Sequence, residues 1–171
     1  EILKKLTLNP TIEDDFIDRD LSIADYINDI IKSFKETSKK KFIINFDQYS
    51  NPLNISKSIE IVYGLRNFIG NANKFSKSKI FINIKSNSDF TEVMIEDDGE
   101  GYPTDVLRNI GEPYIKSHKS SIKSKSGLGL GIFIGKTLLE KNYANILCRN
   151  SETRSGAEVT IKWKNKDLLN L

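Results

Sequence analysis

Val93-Met94-Ile95-Glu96-Asp97-Asp98-Gly99-Glu100-Gly101 runs from an apolar segment into an acidic pair and then two glycines one residue apart. Val93 and Ile95 alternate along it, as the inward residues of a half-buried strand should. The glycines permit a positive φ or a close approach to a ligand that a Cβ would resist. A carboxylate at Asp97 therefore sits at the end of a rigid strand, against a loop that can approach something flat. Taken alone, Asp97-x-Gly99-x-Gly101 also fits a strand-ending turn, because Asp-Gly is ordinary turn chemistry. The flanking segments decide between these readings.

Immediately upstream, Lys79–Lys85 alternates Ile80, Ile82 and Ile84 with Phe81 and Asn83, and turns at Ser86-Asn87-Ser88-Asp89 into the strand Phe90–Asp97. That pattern predicts an antiparallel hairpin. Before it, a helix is expected over roughly Lys57–Phe75, with Ile61, Leu65, Phe68, Ala72 and Phe75 as its apolar stripe. Asn67, Asn71 and Lys74 form a polar stripe about 100° around from it. Asn is a poor residue inside a helix because its side chain competes for backbone hydrogen bonds. Two of them one turn apart can line a cavity with amides, or face solvent. Farther upstream, Ser22 stands where an N-cap should, followed by Ile23, Ile27, Ile30 and Phe34 on one helical face. Ser38-Lys39-Lys40-Lys41 suits the C-terminus of that helix electrostatically, and a strand follows over Phe42–Phe46.

Downstream, Pro103-Thr104-Asp105 can open a short helix reaching Ile110-Gly111. Glu112–Ser126 is Ser/Lys-rich, with Lys116, Lys119, Lys123 and Lys125, and shows little periodicity. Such a stretch inside a domain is functional or disordered, and its composition predicts mobility. Ser126-Gly127-Leu128-Gly129-Leu130-Gly131-Ile132 then opens a helix with Leu128, Ile132, Gly135 and Leu139 on one face. Alternating glycines at a helix start can present bare N–H groups to an anion, which the basic stretch before them favours; the same glycines also suit close packing of the helix on a sheet. Ala144–Arg149 and Ala157–Trp163 complete the pattern as strands joined by a turn at Ser155-Gly156. Residues 164–171 form a tail without pattern.

The 171 residues suffice for one domain with a real core, and 26 Lys+Arg against 23 Asp+Glu leave a charge of only +3, no argument for nucleic acid. No apolar run approaches the roughly 20 residues of a membrane span, and no signal peptide opens the chain. Cys148 and His118 are each alone, which excludes an intrachain disulfide and Cys- or His-cluster metal sites. A reducing, cytoplasmic setting fits. Residues 1–10 read as the end of a preceding helix, stopped by Asn9-Pro10. Acidic residues 11–21 read as a linker, and a larger parent protein is expected. The element order predicts an α+β fold, a two-layer α/β sandwich whose mixed, mostly antiparallel sheet has helices on one face. The Asn stripe, the Asp97 loop and the glycine-rich helix start could then share one pocket, suited to a purine nucleoside triphosphate with magnesium.

At this point the chain resembles the ATP-binding domain shared by sensor histidine kinases, gyrase B, heat-shock protein 90 and MutL, the GHKL superfamily. The likeness spans about residues 22–163. Leu65-Arg66-Asn67-Phe68-Ile69-Gly70-Asn71-Ala72-Asn73-Lys74-Phe75-Ser76 resembles the N box of histidine kinases, Asp97–Pro103 the G1 box, Glu112-Pro113-Tyr114 the F box, and Ser126–Gly131 the G2 box. Ile132–Glu140 is similar to the redox-responsive RegB/PrrB sensor kinases. The resemblance implies that ATP and Mg²⁺ are the cofactors, with Asp97 accepting from the adenine amino group, Gly99 and Gly101 against the base, and Tyr114 at the foot of an ATP lid over about 102–126. Asn71 would ligate Mg²⁺ through its amide oxygen. Asn67 and Lys74 would act near the phosphates, held by the backbone of Gly127, Leu128, Gly129, Leu130 and Gly131. Lys125 stands where the family often carries Gly.

Hydrolysing members place a Glu base near the position of Asn67. An amide cannot take a proton from water, so Asn67 argues for phosphoryl transfer. The resemblance thus implies a protein-histidine kinase domain that transfers the γ-phosphoryl group to a His on a separate dimerisation helix, for relay to a response regulator Asp. His118 lies outside any acceptor motif, so this segment is expected to bind ATP without phosphorylating itself, to be monomeric, and to touch neither membrane nor nucleic acid; its parent would be cytoplasmic or anchored in the inner membrane. The competing classes are a gyrase- or chaperone-type ATPase, an anti-sigma Ser/Thr kinase and a non-enzymatic basic binding module.

Overall fold

A computed structural model describes residues 20–47, 53–110 and 128–171. Twelve elements follow in order: β1 (Leu21–Ser22), α1 (Ile23–Lys35), β2 (Lys41–Phe46), β3 (Asn54–Ile55), α2 (Ile59–Phe75), β4 (Lys79–Ser86), β5 (Phe90–Asp97), α3 (Thr104–Arg108), α4 (Leu128–Lys141), β6 (Asn145–Asn150), β7 (Ala157–Lys164) and α5 (Asn165–Leu168). The main sheet has the order β2-β4-β5-β7-β6. Only β2 and β4 run parallel; the other three pairings are antiparallel. This is the mixed, mostly antiparallel sheet the element order predicts.

Period-2 alternation builds the inner face. Ile80, Ile82 and Ile84 of β4, Val93 and Ile95 of β5, and Val159, Ile161 and Trp163 of β7 are all buried. The helices cover them with Ile27, Ile30 and Ile31 of α1, Leu65, Phe68 and Ile69 of α2, and Ile132 and Leu139 of α4. The outer face carries charge instead. Glu96 and Glu158 stand directly opposite each other, an unfavourable pair unless neutralised. Arg149 engages Glu158 through Nε at 2.7 Å and Nη2 at 3.0 Å. Glu96 accepts from Ser151 Oγ at 2.7 Å, and Arg154, 3.7 Å from its carboxylate, also stacks 3.5 Å from the Phe81 ring centroid.

Local signals set the helix starts. Ser22 caps α1 in a full capping box: Asp25 N–H donates to Ser22 Oγ at 3.2 Å and Ser22 N–H to Asp25 Oδ2 at 3.0 Å. Such caps contribute about 1 kcal/mol. Ser58 caps α2 and also donates to Asn142 Oδ1 at 2.5 Å, tying the start of α2 to the end of α4. Lys40, read as serving α1, instead donates its ammonium to the Ser76 carbonyl at the end of α2.

Two features lie outside the sequence reading. Leu21, placed in a linker, pairs with Ile55 in a two-stranded ribbon. The tail is also structured: Asn165 and Leu168 are buried, Thr91 Oγ1 donates to Asn165 Oδ1 at 2.8 Å, and Asn165 Nδ2 donates to the Asn87 carbonyl at 2.6 Å. A four-residue helix shows no periodicity, and its bonds run to residues far away in sequence.

Candidate functional site

The acidic pair at the end of β5 divides its work. Asp98 holds the turn after α2: Oδ1 accepts from the N–H groups of Lys77 at 2.8 Å and Ser78 at 3.0 Å, and Oδ2 from Ser78 Oγ at 2.9 Å. Partial burial opposes ionisation, but these bonds from Ser78, Lys79 and Lys77 outweigh it and lower the pKa to about 2. Asp97 turns inward and is only 4 % exposed. Its Oδ1 accepts from Gly99 N–H at 2.8 Å and Ala157 N–H at 3.4 Å. The first bond is an Asx turn, so the strand-ending turn and the site wall are the same structure.

Two glycines make this corner possible. A Cβ on Gly99 would stand 2.2 Å from the Phe75 carbonyl oxygen, and one on Gly156 would stand 2.0 Å from that of Asp97. Neither contact leaves room for a side chain, so β5, the end of α2 and the β6–β7 turn meet backbone to backbone.

Asp97 and Asn71 line one pocket, with Phe68, Ala72, Phe75 and Ile95 at its apolar floor and Gly101, Tyr102 and Pro103 at its rim. Its empty volume, including the open mouth, is about 610 Å³. Burial foremost, with the Cys148 thiol and Asp97 carboxylate nearby, holds the Tyr102 hydroxyl well above its ordinary pKa.

The helix wall is closed by α4, which packs along α2. Gly135 lies against Phe68, Gly64 against Leu139, and a Cβ on Gly131 would be 2.9 Å from Asn71 Oδ1. Gly131 and Gly135 of α4 therefore pack closely, against a helix where the sequence suggested a sheet. They also bring the first turn of α4 beside Asn71. The Asn71 Nδ2 is buried and meets no hydrogen-bond partner among the described residues. An orphaned buried donor costs free energy unless something supplies an acceptor.

Not every expected site residue faces this pocket. Asn67 turns its amide back along α2, donating to the Tyr63 carbonyl at 2.8 Å. Lys74 is exposed, its ammonium 5.3 Å from the centre of the Phe75 ring. Neither lines the pocket, in contrast to Asn71. Gly129 and Leu130 lie in the first turn of α4, where Leu130 is 46 % exposed, and Leu128 begins that helix. Tyr114, Gly127, His118 and the lysines of 116–125 lie outside the described residues. Sequence reasoning missed Gly156, read only as a turn, and Asn150, which no motif marks.

The sequence matches the family described as histidine kinase-, DNA gyrase B-, and HSP90-like ATPase over residues 56–167. The chain belongs to this family. Among its relatives is the sensor histidine kinase RegB of Cereibacter sphaeroides, 36% identical over 120 residues, which cover 61% of this chain and 26% of RegB. The chain thus spans about a quarter of that relative's length, and the RegB-like reading of Ile132–Glu140 agrees with the match. The fold is that of histidine kinase catalytic domains. The catalytic domain of histidine kinase ThkA superposes with a TM-score of 0.69 at 18% identity, covering 86% of this chain and 96% of that one. The mycobacterial sensor histidine kinase MprB gives 0.65 at 19% identity, over 84% and 96%. Within the ATPase family, this is the ATP-binding domain of the sensor histidine kinase kind. No helix among the described residues is long and apolar enough to cross a membrane.

Proposed function

We propose that this pocket binds Mg²⁺–ATP and presents the γ-phosphoryl group to a histidine on a separate dimerisation helix, for relay to a response regulator aspartate. The observation that carries this reading is the pairing of the buried Asp97 carboxylate with the Asn71 amide in one pocket. Asp97 accepts from the adenine amino group, and its own bonds to Gly99 and Ala157 hold it in place for that task. Phe68, Ala72, Phe75 and Ile95 offer the base an apolar surface.

The residues present fit the metal. Asn71 offers a neutral oxygen of the hard kind Mg²⁺ takes alongside phosphate and water, and its orphaned Nδ2 can donate to a phosphate oxygen or a bound water. When bound, the ion neutralises charge on the phosphates. The backbone at 127–131 and the lysines of the lid supply further positive potential, with Lys74 at the exposed side. Asn67, an amide tied to its own helix, takes no proton from water, which favours transfer over hydrolysis. His118 lies outside any acceptor motif, so the segment binds ATP without labelling itself. The parent protein is a cytoplasmic or membrane-anchored sensor kinase.

Isothermal titration with a non-hydrolysable ATP analogue and Mg²⁺ tests this reading on the chain and on Asp97→Asn. The amide can keep the bonds to Gly99 and Ala157 but replaces one acceptor oxygen with a donor, so affinity should fall by two orders of magnitude or more. Equal binding by both proteins would refute the role of Asp97. Incubation with γ-labelled ATP should leave this chain unlabelled.

A further inference from the structure

Tyr102 forms part of the pocket rim, yet it belongs to no strand. The edge strand β6 holds it. Asn150, the last residue of β6, meets the Tyr102 peptide groups with both ends of its amide: Tyr102 N–H donates to Oδ1 at 2.6 Å, and Nδ2 donates to the Tyr102 carbonyl at 3.1 Å. One side chain thus makes the pair of bonds that a neighbouring antiparallel strand would make. Two residues back, on the same side of β6, the Cys148 thiol lies near the Tyr102 hydroxyl, and burial pushes that thiol up to about 11. The backbone of Tyr102 is therefore strapped to a single strand, with its ring beside the same strand.

Gly101 is shaped to the same contact. Its φ is +82°, and a Cβ there would lie 2.6 Å from Asn150 Oδ1. The second glycine of Asp97-x-Gly99-x-Gly101 is thus required by its partner on β6 as well as by its backbone conformation.

We propose that Asn150 is a positioning residue for nucleotide recognition: it sets the Gly101–Tyr102 peptide against the pocket and thereby governs base affinity and base selectivity without touching the nucleotide. The proposal rests on the reading of this pocket as a nucleotide site. Asn150 is itself exposed, so its truncation leaves the core in place. The Asp97 carboxylate and the Tyr102 rim bound the same pocket, and a rim free to shift admits bases that a fixed rim rejects.

The test titrates wild-type protein, Asn150→Ala and Asn150→Asp with non-hydrolysable ATP and GTP analogues in Mg²⁺. Hydrogen exchange at the Tyr102 amide and melting without nucleotide are followed in parallel. Asn150→Ala should weaken the ATP analogue about tenfold, the scale of losing two hydrogen bonds. It should also narrow the preference for ATP over GTP and speed Tyr102 exchange, with the melting temperature nearly unchanged. Asn150→Asp keeps an acceptor for the Tyr102 N–H and should recover part of the affinity and protection. Asn150→Ala binding as tightly and selectively as wild type would overturn the inference. So would equal weakening of both nucleotides in step with a lower melting temperature, which marks a merely structural residue. Absence of nucleotide binding by the wild type would overturn the pocket reading itself, and this inference with it.

Discussion

The sheet wall and the helix wall of the pocket differ in how their polar groups are satisfied. On the sheet wall, Asp97 is held by Gly99 and Ala157 and Tyr102 by Asn150, while Asp98, behind that wall, is held by the turn at Lys77-Ser78. On the helix wall, Asn71 keeps a buried Nδ2 with no partner among the described residues, beside a helix start brought close by Gly131. The first wall is preorganised by the protein, whereas the second keeps a donor that a bound acceptor would satisfy. Preorganised groups recognise a rigid base with little ordering cost, whereas an orphaned amide suits a charged, hydrated group that arrives with its own ligands.

The largest effect that breaks this contrast is expected from Gly156→Ala. Its Cβ would stand 2.0 Å from the Asp97 carbonyl oxygen and 2.3 Å from Oδ1, contacts with backbone and a pinned side chain that no rotamer relieves. Destabilisation of about 3 kcal/mol or more, read by thermal unfolding, is expected, together with loss of nucleotide binding. A melting curve like that of the wild type would mean that the sheet wall is less rigid than described.

Asn71→Ala sharpens the comparison from the other side. Removing an unpartnered buried donor should leave stability within about 1 kcal/mol of wild type, while the Mg²⁺-dependent part of nucleotide affinity falls about tenfold. Titration with and without the ion separates the two. Strong destabilisation with unchanged Mg²⁺ dependence would make Asn71 a structural residue.

The smallest effect concerns Asp98. Its pKa in the folded chain, about 2, lies below the ordinary value of 3.8. Its ionised form therefore stabilises the fold above about pH 4, and that contribution is lost as pH falls toward 2. The site is partly open to solvent, so roughly 1 kcal/mol is expected after screening. Asp98→Asn should be less stable at pH 7 and show a shallower loss between pH 4 and 2. Parallel pH profiles would show that the turn at Lys77-Ser78 does not depend on this charge.

How much of this was legible in advance follows from the range of each interaction. The N-cap at Ser22, the stripe of α2 and the hairpin Lys79–Asp97 are local signals, and they appear where expected. Asp97 was legible because a strand end, an acid and two glycines stand together. Asn67 and Lys74 share a polar stripe with Asn71, but helical spacing alone could not show that only Asn71 meets the pocket, since α4 sets which part of that stripe is covered. Lys40 serves the end of α2 through a contact 36 residues away. Asn165 is buried by partners more than 70 residues away.

By itself, the sequence determined the order and type of the long elements, the place of the carboxylate at the end of β5 and the family to which the chain belongs. These depend on neighbours a few residues apart and on motifs read in order. Tertiary structure alone decided that Asp98 braces the turn after α2, which amide of α2 is left without a partner among the described residues, and that Gly156 and Asn150 support the Asp97 loop from the β6–β7 turn and from β6. The physical reason is that steric fit and hydrogen-bond satisfaction at this corner are settled between segments 20 to 60 residues apart, by contacts no local pattern encodes.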